Sequence, residues 1–174
     1  MEMLLLSTDL FRHRSAIHGG HRMNNCTNTQ ATASLLDDIC KNIKSGTASI
    51  TDIIPKITDK FLLRDLTAQL NGYGQFASRT ARLLAEYGGE GEEESTLKKI
   101  SSKFGVIINT IVNPSISGIA EMIAENSADS ADIMKKRAVE AEMLNCDPRA
   151  STLCKEIAAF ELQNSGIMKE YYEK

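Results

Sequence analysis

From Thr29 onward the apolar residues recur three or four positions apart: Ala33, Leu36, Cys40, Ile43, Thr47, Ile50, Ile54 and Ile57. That period puts them on one side of a helix, so the spacing predicts an amphipathic helix over 29–57. Gly46 and Pro55 lie inside it, and proline lacks the donor for the carbonyl four residues back. The stripe nevertheless continues past both, and one long helix is expected. Asp59 is placed to cap a second helix. Its stripe, Leu62, Leu66, Leu70, Tyr73, Phe76, Ala77, Thr80, Leu84 and Tyr87, runs to a stop at Gly88-Gly89. Only a few residues join the two helices, which should therefore be antiparallel neighbours.

An acidic run follows, Glu90 and Glu92 to Glu94, and then Leu97, Ile100, Phe104, Ile107, Ile108 and Ile111 at helical spacing. Negative charge at that helix start suits its dipole. Asn113-Pro114 and Asp147-Pro148 share one device, a capping side chain followed by proline where its missing donor costs nothing. Each should start a helix. A third long helix is expected over 114–145 with Ile116, Ile119, Ile123, Ala131, Met134, Ala138 and Met143 inward. The fourth is expected over 148–173 with Leu153, Ile157, Phe160, Ile167, Met168 and Tyr171 inward. Nothing alternates as a strand would, so the fold class is all-α.

At 1.5 Å per residue the four long helices extend about 40–48 Å and suit an elongated bundle. The first and third connections are short. The second is long and carries its own helix, enough to travel the bundle's length, which gives an antiparallel four-helix bundle with one helix-containing crossover between helices 2 and 3. The chain here resembles the small bacterial ferritin-like proteins of unknown function, two helical hairpins with a connector helix between them as in the starvation-induced ferritins. The resemblance covers residues 28–173 and rests on helix lengths, loop order and segments such as Ser117-Gly118-Ile119-Ala120-Glu121-Met122.

Composition narrows the picture. The chain has 174 residues, 42% hydrophobic and 25% charged, which fits one soluble domain. Its 20 Lys and Arg against 23 Asp and Glu give a net charge of −3 and no broad cationic face, disfavouring nucleic acid and acidic membranes as partners. The longest apolar run near the start, Met3 to Leu6, is too short to span a membrane and follows Glu2 rather than a basic segment. Four cysteines without a C-x-x-C pair suggest reduced thiols and a cytoplasmic protein.

Residues 1–22 differ from the rest. They hold all three histidines, His13, His18 and His21, lack a sustained helical period and end near Gly19-Gly20. His-rich tracts can bind zinc, nickel or copper, but this spacing fits no compact ligand motif. Gly-Gly can be encoded as GGAGGN, a purine-rich ribosome-binding sequence, two codons upstream of Met23. The expectation is therefore that residues 1–22 are a leader-derived or disordered tail, and that 23–174 form the single bundle domain.

The ferritin-like di-iron site needs carboxylates on all four helices and Glu-x-x-His on two of them. After Met23 there is no histidine. The positional matches read Gln69-Leu70-Asn71-Gly72 and Glu161-Leu162-Gln163-Asn164, while Asp37, Asp38 and Asp52 lie beside the first stripe. A carboxylate-only magnesium or manganese site from Glu121, Glu125 and Glu161 is the metal alternative; solvated surface acids are the common case. Gln69, Asn126, Ser130 and Asn164 form a polar midsection, read first as a hydrogen-bonded layer that fixes helix register and second as a ligand pocket. Gly72 and Gly74 are read as points of close helix approach. Cys40, Cys146 and Cys154 read as small core residues, with a redox pair of Cys146 and Cys154 as the alternative, and Tyr73, Tyr87, Tyr171 and Tyr172 as helix-end tyrosines with one wet edge, with acids or radical sites of an enzyme as the alternative.

Together these readings predict a non-catalytic structural or interaction protein without a di-iron centre and without a cofactor. The alternatives are a metal-binding or oxidase protein with an unorthodox carboxylate site, and a small-molecule carrier using a cavity near Gly72, Gly74 and the midsection serines. The isoleucines of helix one (Ile39, Ile43, Ile50, Ile53, Ile54 and Ile57) and the apolar residues of the connector look broader than one seam can cover, which predicts a homodimer or higher homo-oligomer.

Overall fold

A computed structural model of the chain describes residues 27–89 and 115–173, and among these the only regular elements are helices. They are α1 (Thr29–Ile53), α2 (Lys60–Glu86), α3 (Ile116–Met143) and α4 (Pro148–Lys169). The tail with its three histidines, the connector 97–111 and the Asn113-Pro114 device lie outside the described residues.

Each start is capped by a short polar side chain that takes up backbone N–H groups the first turn leaves unbonded. Asn28 accepts from Ala31 N at 3.0 Å, Asp59 from Phe61 N and Leu62 N at 2.9 and 2.8 Å, and Asp147 from Arg149 N at 2.7 Å. At α3 the cap is Ser115, accepting from Gly118 N at 3.0 Å, so the helix begins at Ile116 and not at 114. Gly88, with φ of 75°, closes α2: Gly89 N donates to Leu84 O and Gly88 N to Ala85 O, both at 3.2 Å, a turn that favours glycine.

Helix one is shorter than its stripe. Pro55 ends the α-helical ladder at Ile53, and a 3-10 turn at Ile54–Lys56 follows, with Ile57 N donating to Ile54 O at 3.1 Å. Ile54 and Ile57 still pack half-buried on the core, which is why the apolar period outlasts the helix. Gly46 does not interrupt α1 at all.

The helices form a ring in the order α1, α2, α4, α3, each packed against its two neighbours. Hydrogen bonds fix which ends coincide. Asn28 N donates to Asn145 O at 2.8 Å, and Tyr87 Oη to Asp147 Oδ2 at 2.7 Å, so α1 and α4 begin where α2 and α3 end. At the far end Tyr171 Oη donates to Asp65 Oδ2 at 2.7 Å. Every adjacent pair is antiparallel, and Gly89 and Ser115 stand at opposite ends.

The core is mostly aliphatic: Leu36, Ile39, Ile50, Ile53, Leu62, Leu66, Met134, Ile157 and Met168 are all essentially inaccessible. Ile116 and Met143, expected inward, are 40% and 77% exposed, being the first and last residues of α3. Of the α1 isoleucines, Ile39, Ile43, Ile50 and Ile53 are buried inside the bundle, and Ile54 and Ile57 after α1 are half-buried. The outward apolar side chains are instead Phe61, Leu162 and, on or beside α3, Ile116, Ile133, Val139, Met143 and Leu144. Among the described residues no helix is long and apolar enough to cross a membrane.

Candidate functional site

Halfway along the bundle the apolar stripes carry polar residues at one level. On α2 the inward series reads Leu62, Leu66, Gln69, Tyr73; on α3 it reads Ile123, Ser127, Ala131, Met134; on α4 it reads Ile157, Glu161, Asn164, Met168. Steps of three and four keep these side chains on one helix face, so the polar ones are turned inward with the rest. Gln69, Tyr73, Ser127, Glu161 and Asn164 are all buried, and Glu161 completely so.

Their hydrogen bonds tie the four helices together. Tyr73 Oη donates to Glu161 Oε1 at 2.8 Å, and Ser130 Oγ donates to the same oxygen at 2.9 Å. Asn42 Nδ2, from α1, donates to Ser130 Oγ at 2.9 Å, while Gln69 Nε2 donates to Ser127 Oγ at 3.2 Å. Two acceptors are left over. Glu161 Oε2 and Gln69 Oε1 are buried without a hydrogen-bond partner.

Glycine makes this arrangement possible at two points. A Cβ on Gly46 would overlap Tyr73 Cζ and Oη, so the phenol crosses α1 only because that side chain is absent. Gly72 admits the Phe160 ring in the same way, which is close approach as expected; Gly74 faces open space and approaches nothing. The Phe160 ring in turn meets Tyr73 edge-on, with centroids 5.2 Å apart, and steadies the phenol from the α4 side.

Burial pushes the Glu161 carboxyl above its ordinary range, against the opposing pull of the hydrogen bonds from Tyr73 and Ser130. Burial and the neighbouring Glu161 both raise the Tyr73 phenol, which stays a protonated donor. Among the described residues that line the cavity beside them there is no lysine or arginine.

Above this layer a cleft of about 130 Å³ opens between α1 and α3. Its floor is Gln69, Tyr73, Ser127 and Glu161; Asn42, Ser45 and Ser49 of α1 face Asn126, Ser130 and Ile133 of α3 across the mouth. The volume is enough for several water molecules.

The polar midsection expected from the sequence is thus partly assembled. Gln69 and Ser130 belong to the hydrogen-bonded layer. Asn126 is exposed at the rim, and Asn164 is buried with its Nδ2 unpartnered, so neither acts as the register-fixing amide expected of it. Glu161 is no surface acid. The structure does not gather Glu121, Glu125 and Glu161: the first two are exposed, nine and five residues before Ser130 on α3, or about 14 and 8 Å along the axis. Among the described residues no group of three or more His, Cys, Asp or Glu side chains could hold a metal ion. Asn42 was not among the expected site residues; Tyr73 is buried as its place on the α2 stripe implies, but it lies mid-helix in register with Leu66 and Gln69 and not at a helix end.

Cys146 and Cys154 are buried free thiols, and burial pushes Cys154 up to about 12, which suppresses the thiolate that redox exchange requires. Cys40 is half-buried. Tyr87, Tyr171 and Tyr172 are half-buried near helix ends, as helix-end tyrosines should be.

The chain matches no family model, no curated protein and no solved structure.

Proposed function

We propose that this protein is a non-catalytic bundle of ferritin-like connectivity that holds a small polar molecule in its midsection cleft. The observation that carries the reading is the pair of unpartnered acceptors, Glu161 Oε2 and Gln69 Oε1, on side chains that floor the cleft. Leaving a buried acceptor unmet costs about 1–3 kcal/mol, and a ligand bringing donors removes that cost. Sequences break local rules of this kind where function requires it. The cleft holds no histidine, cysteine, lysine or arginine to work with Glu161 and Tyr73, which are already bonded to each other, so the set suits recognition better than turnover. Ferritin-like connectivity is supported by the positions of Gly89 and Ser115, since residues 90–114 join opposite ends of the bundle.

The reading is tested by amide NMR spectra of the full chain during titration with ethanolamine, ethylene glycol, acetamide and acetate, each about the size of the cleft. At least one should move the Gly46, Ser127 and Ser130 amides in a saturable way. If none does, the cleft is not a ligand site.

A further inference from the structure

Building on the reading of the cleft as a ligand site, we infer that its ligand is a small aliphatic amine, bound as the ammonium ion against Glu161. The unpartnered oxygens belong to Glu161 and Gln69, two residues that line the cleft, and both are acceptors while Glu161 is ionised, so a group that completes them has to donate at least two hydrogen bonds. An ammonium carries three donors and no acceptor. Glu161 also has no countercharge: the lining side chains from α1 and α3 are uncharged, and the only other titratable one is Tyr73 of α2, held neutral. A buried carboxylate without a cation is costly, and a ligand cation offsets that cost where an alcohol or amide does not. An anion would face Glu161 directly.

Size and composition agree. A cleft of about 130 Å³ that takes several water molecules also admits a small aliphatic molecule. Ser45, Ser49 and Asn126 at the mouth can bond a hydroxyl or second polar end, while Ile123 and Ile133 cover the carbon chain. A divalent metal ion fits less well, because one carboxylate leaves half its charge unbalanced in a buried site.

Binding should depend on pH through Glu161. Its carboxyl lies above the ordinary range in the free protein, and the ammonium binds the ionised form, so affinity rises with pH through that range and binding releases a proton.

The test compares ethanolamine with ethylene glycol, the same skeleton carrying a hydroxyl in place of the ammonium, by calorimetry on the full chain between pH 5 and 8. Ethanolamine should bind at least tenfold more tightly at pH 8, its advantage should shrink as falling pH protonates Glu161, and Glu161→Gln should abolish it. The pH profile of the unmodified chain keeps the test valid even if that variant folds poorly. Equal binding of the two compounds, or preference for the glycol or acetate, overturns the ammonium assignment while leaving the cleft a ligand site. Response to magnesium or manganese ions alone overturns it as well. Silence of every probe, with unmoved NMR spectra, removes the ligand site itself.

Discussion

Gly46→Ala is expected to lower the melting temperature by about 4–12 °C, the equivalent of a net 2–3 kcal/mol at about 2–4 °C per kcal/mol. Two effects oppose each other. Alanine in a helix interior gains about 1 kcal/mol over glycine. Against this, the new methyl overlaps the phenol end of Tyr73, which is 2% exposed and bonded to Glu161, so it has nowhere to retreat. Overpacking of a filled core costs about 1–3 kcal/mol, and loss of the phenol's bond to a buried carboxyl adds about 1–3 more. Gly74→Ala is the control. It lies on the exposed side of α2 with open space around it, so it keeps only the propensity gain and should raise the melting temperature by about 2–4 °C. Calorimetric melting of both variants checks the pair, and a Gly46→Ala protein as stable as the parent would show that Tyr73 does not cross α1 there.

Asp147→Ala should be the other strongly destabilising change, lowering the melting temperature by about 4–10 °C. The side chain caps α4 through Arg149 N and accepts the Tyr87 hydroxyl from α2, so one carboxylate joins the start of one helix to the end of another. Losing a cap costs about 0.5–2 kcal/mol, and the stranded tyrosine bond about 0.5–1.5 kcal/mol. Hydrogen bonds from the Arg149 guanidinium, more than those from Tyr87, hold this carboxyl down at about 2. Because the folded value is depressed, the contribution is present above the ordinary Asp value of about 3.9 and is lost as pH falls through it toward 2. Acid titration of stability should therefore be shallower in Asp147→Asn, which keeps a capping oxygen without the charge. An unchanged acid limb in that variant would contradict this role.

What the sequence made legible follows from how local each signal is. Asp59 and Asp147 announce α2 and α4 because a cap needs only its own next three residues, and Gly88-Gly89 ends α2 for the same reason. Pro55 ends the helix although the stripe continues, because apolar period and helical hydrogen bonding are separate properties: Ile54 and Ile57 keep packing after the ladder has ended. Gly46 and Gly74 look alike in sequence, yet one lies under a phenol from α2 and the other faces solvent, a difference made by the neighbouring helix. Glu161 was readable in part. It falls four residues after Ile157 and seven before Met168, on the stripe, but its acidic type argued for solvent. Its hydrogen bonds to Tyr73 and Ser130 join residues 88 and 31 positions apart and exist only in the fold.

The account turns on Glu161 being a buried carboxyl without a countercharge, and its own titration measures that most directly. Carbon-detected NMR of the side-chain carboxyl in the ligand-free protein, assigned by its disappearance in Glu161→Gln, should give a midpoint clearly above the ordinary glutamate value of about 4.3. A midpoint at or below that value would mean that solvent or a cation already compensates the charge, and would contradict both the cleft reading and its ammonium ligand.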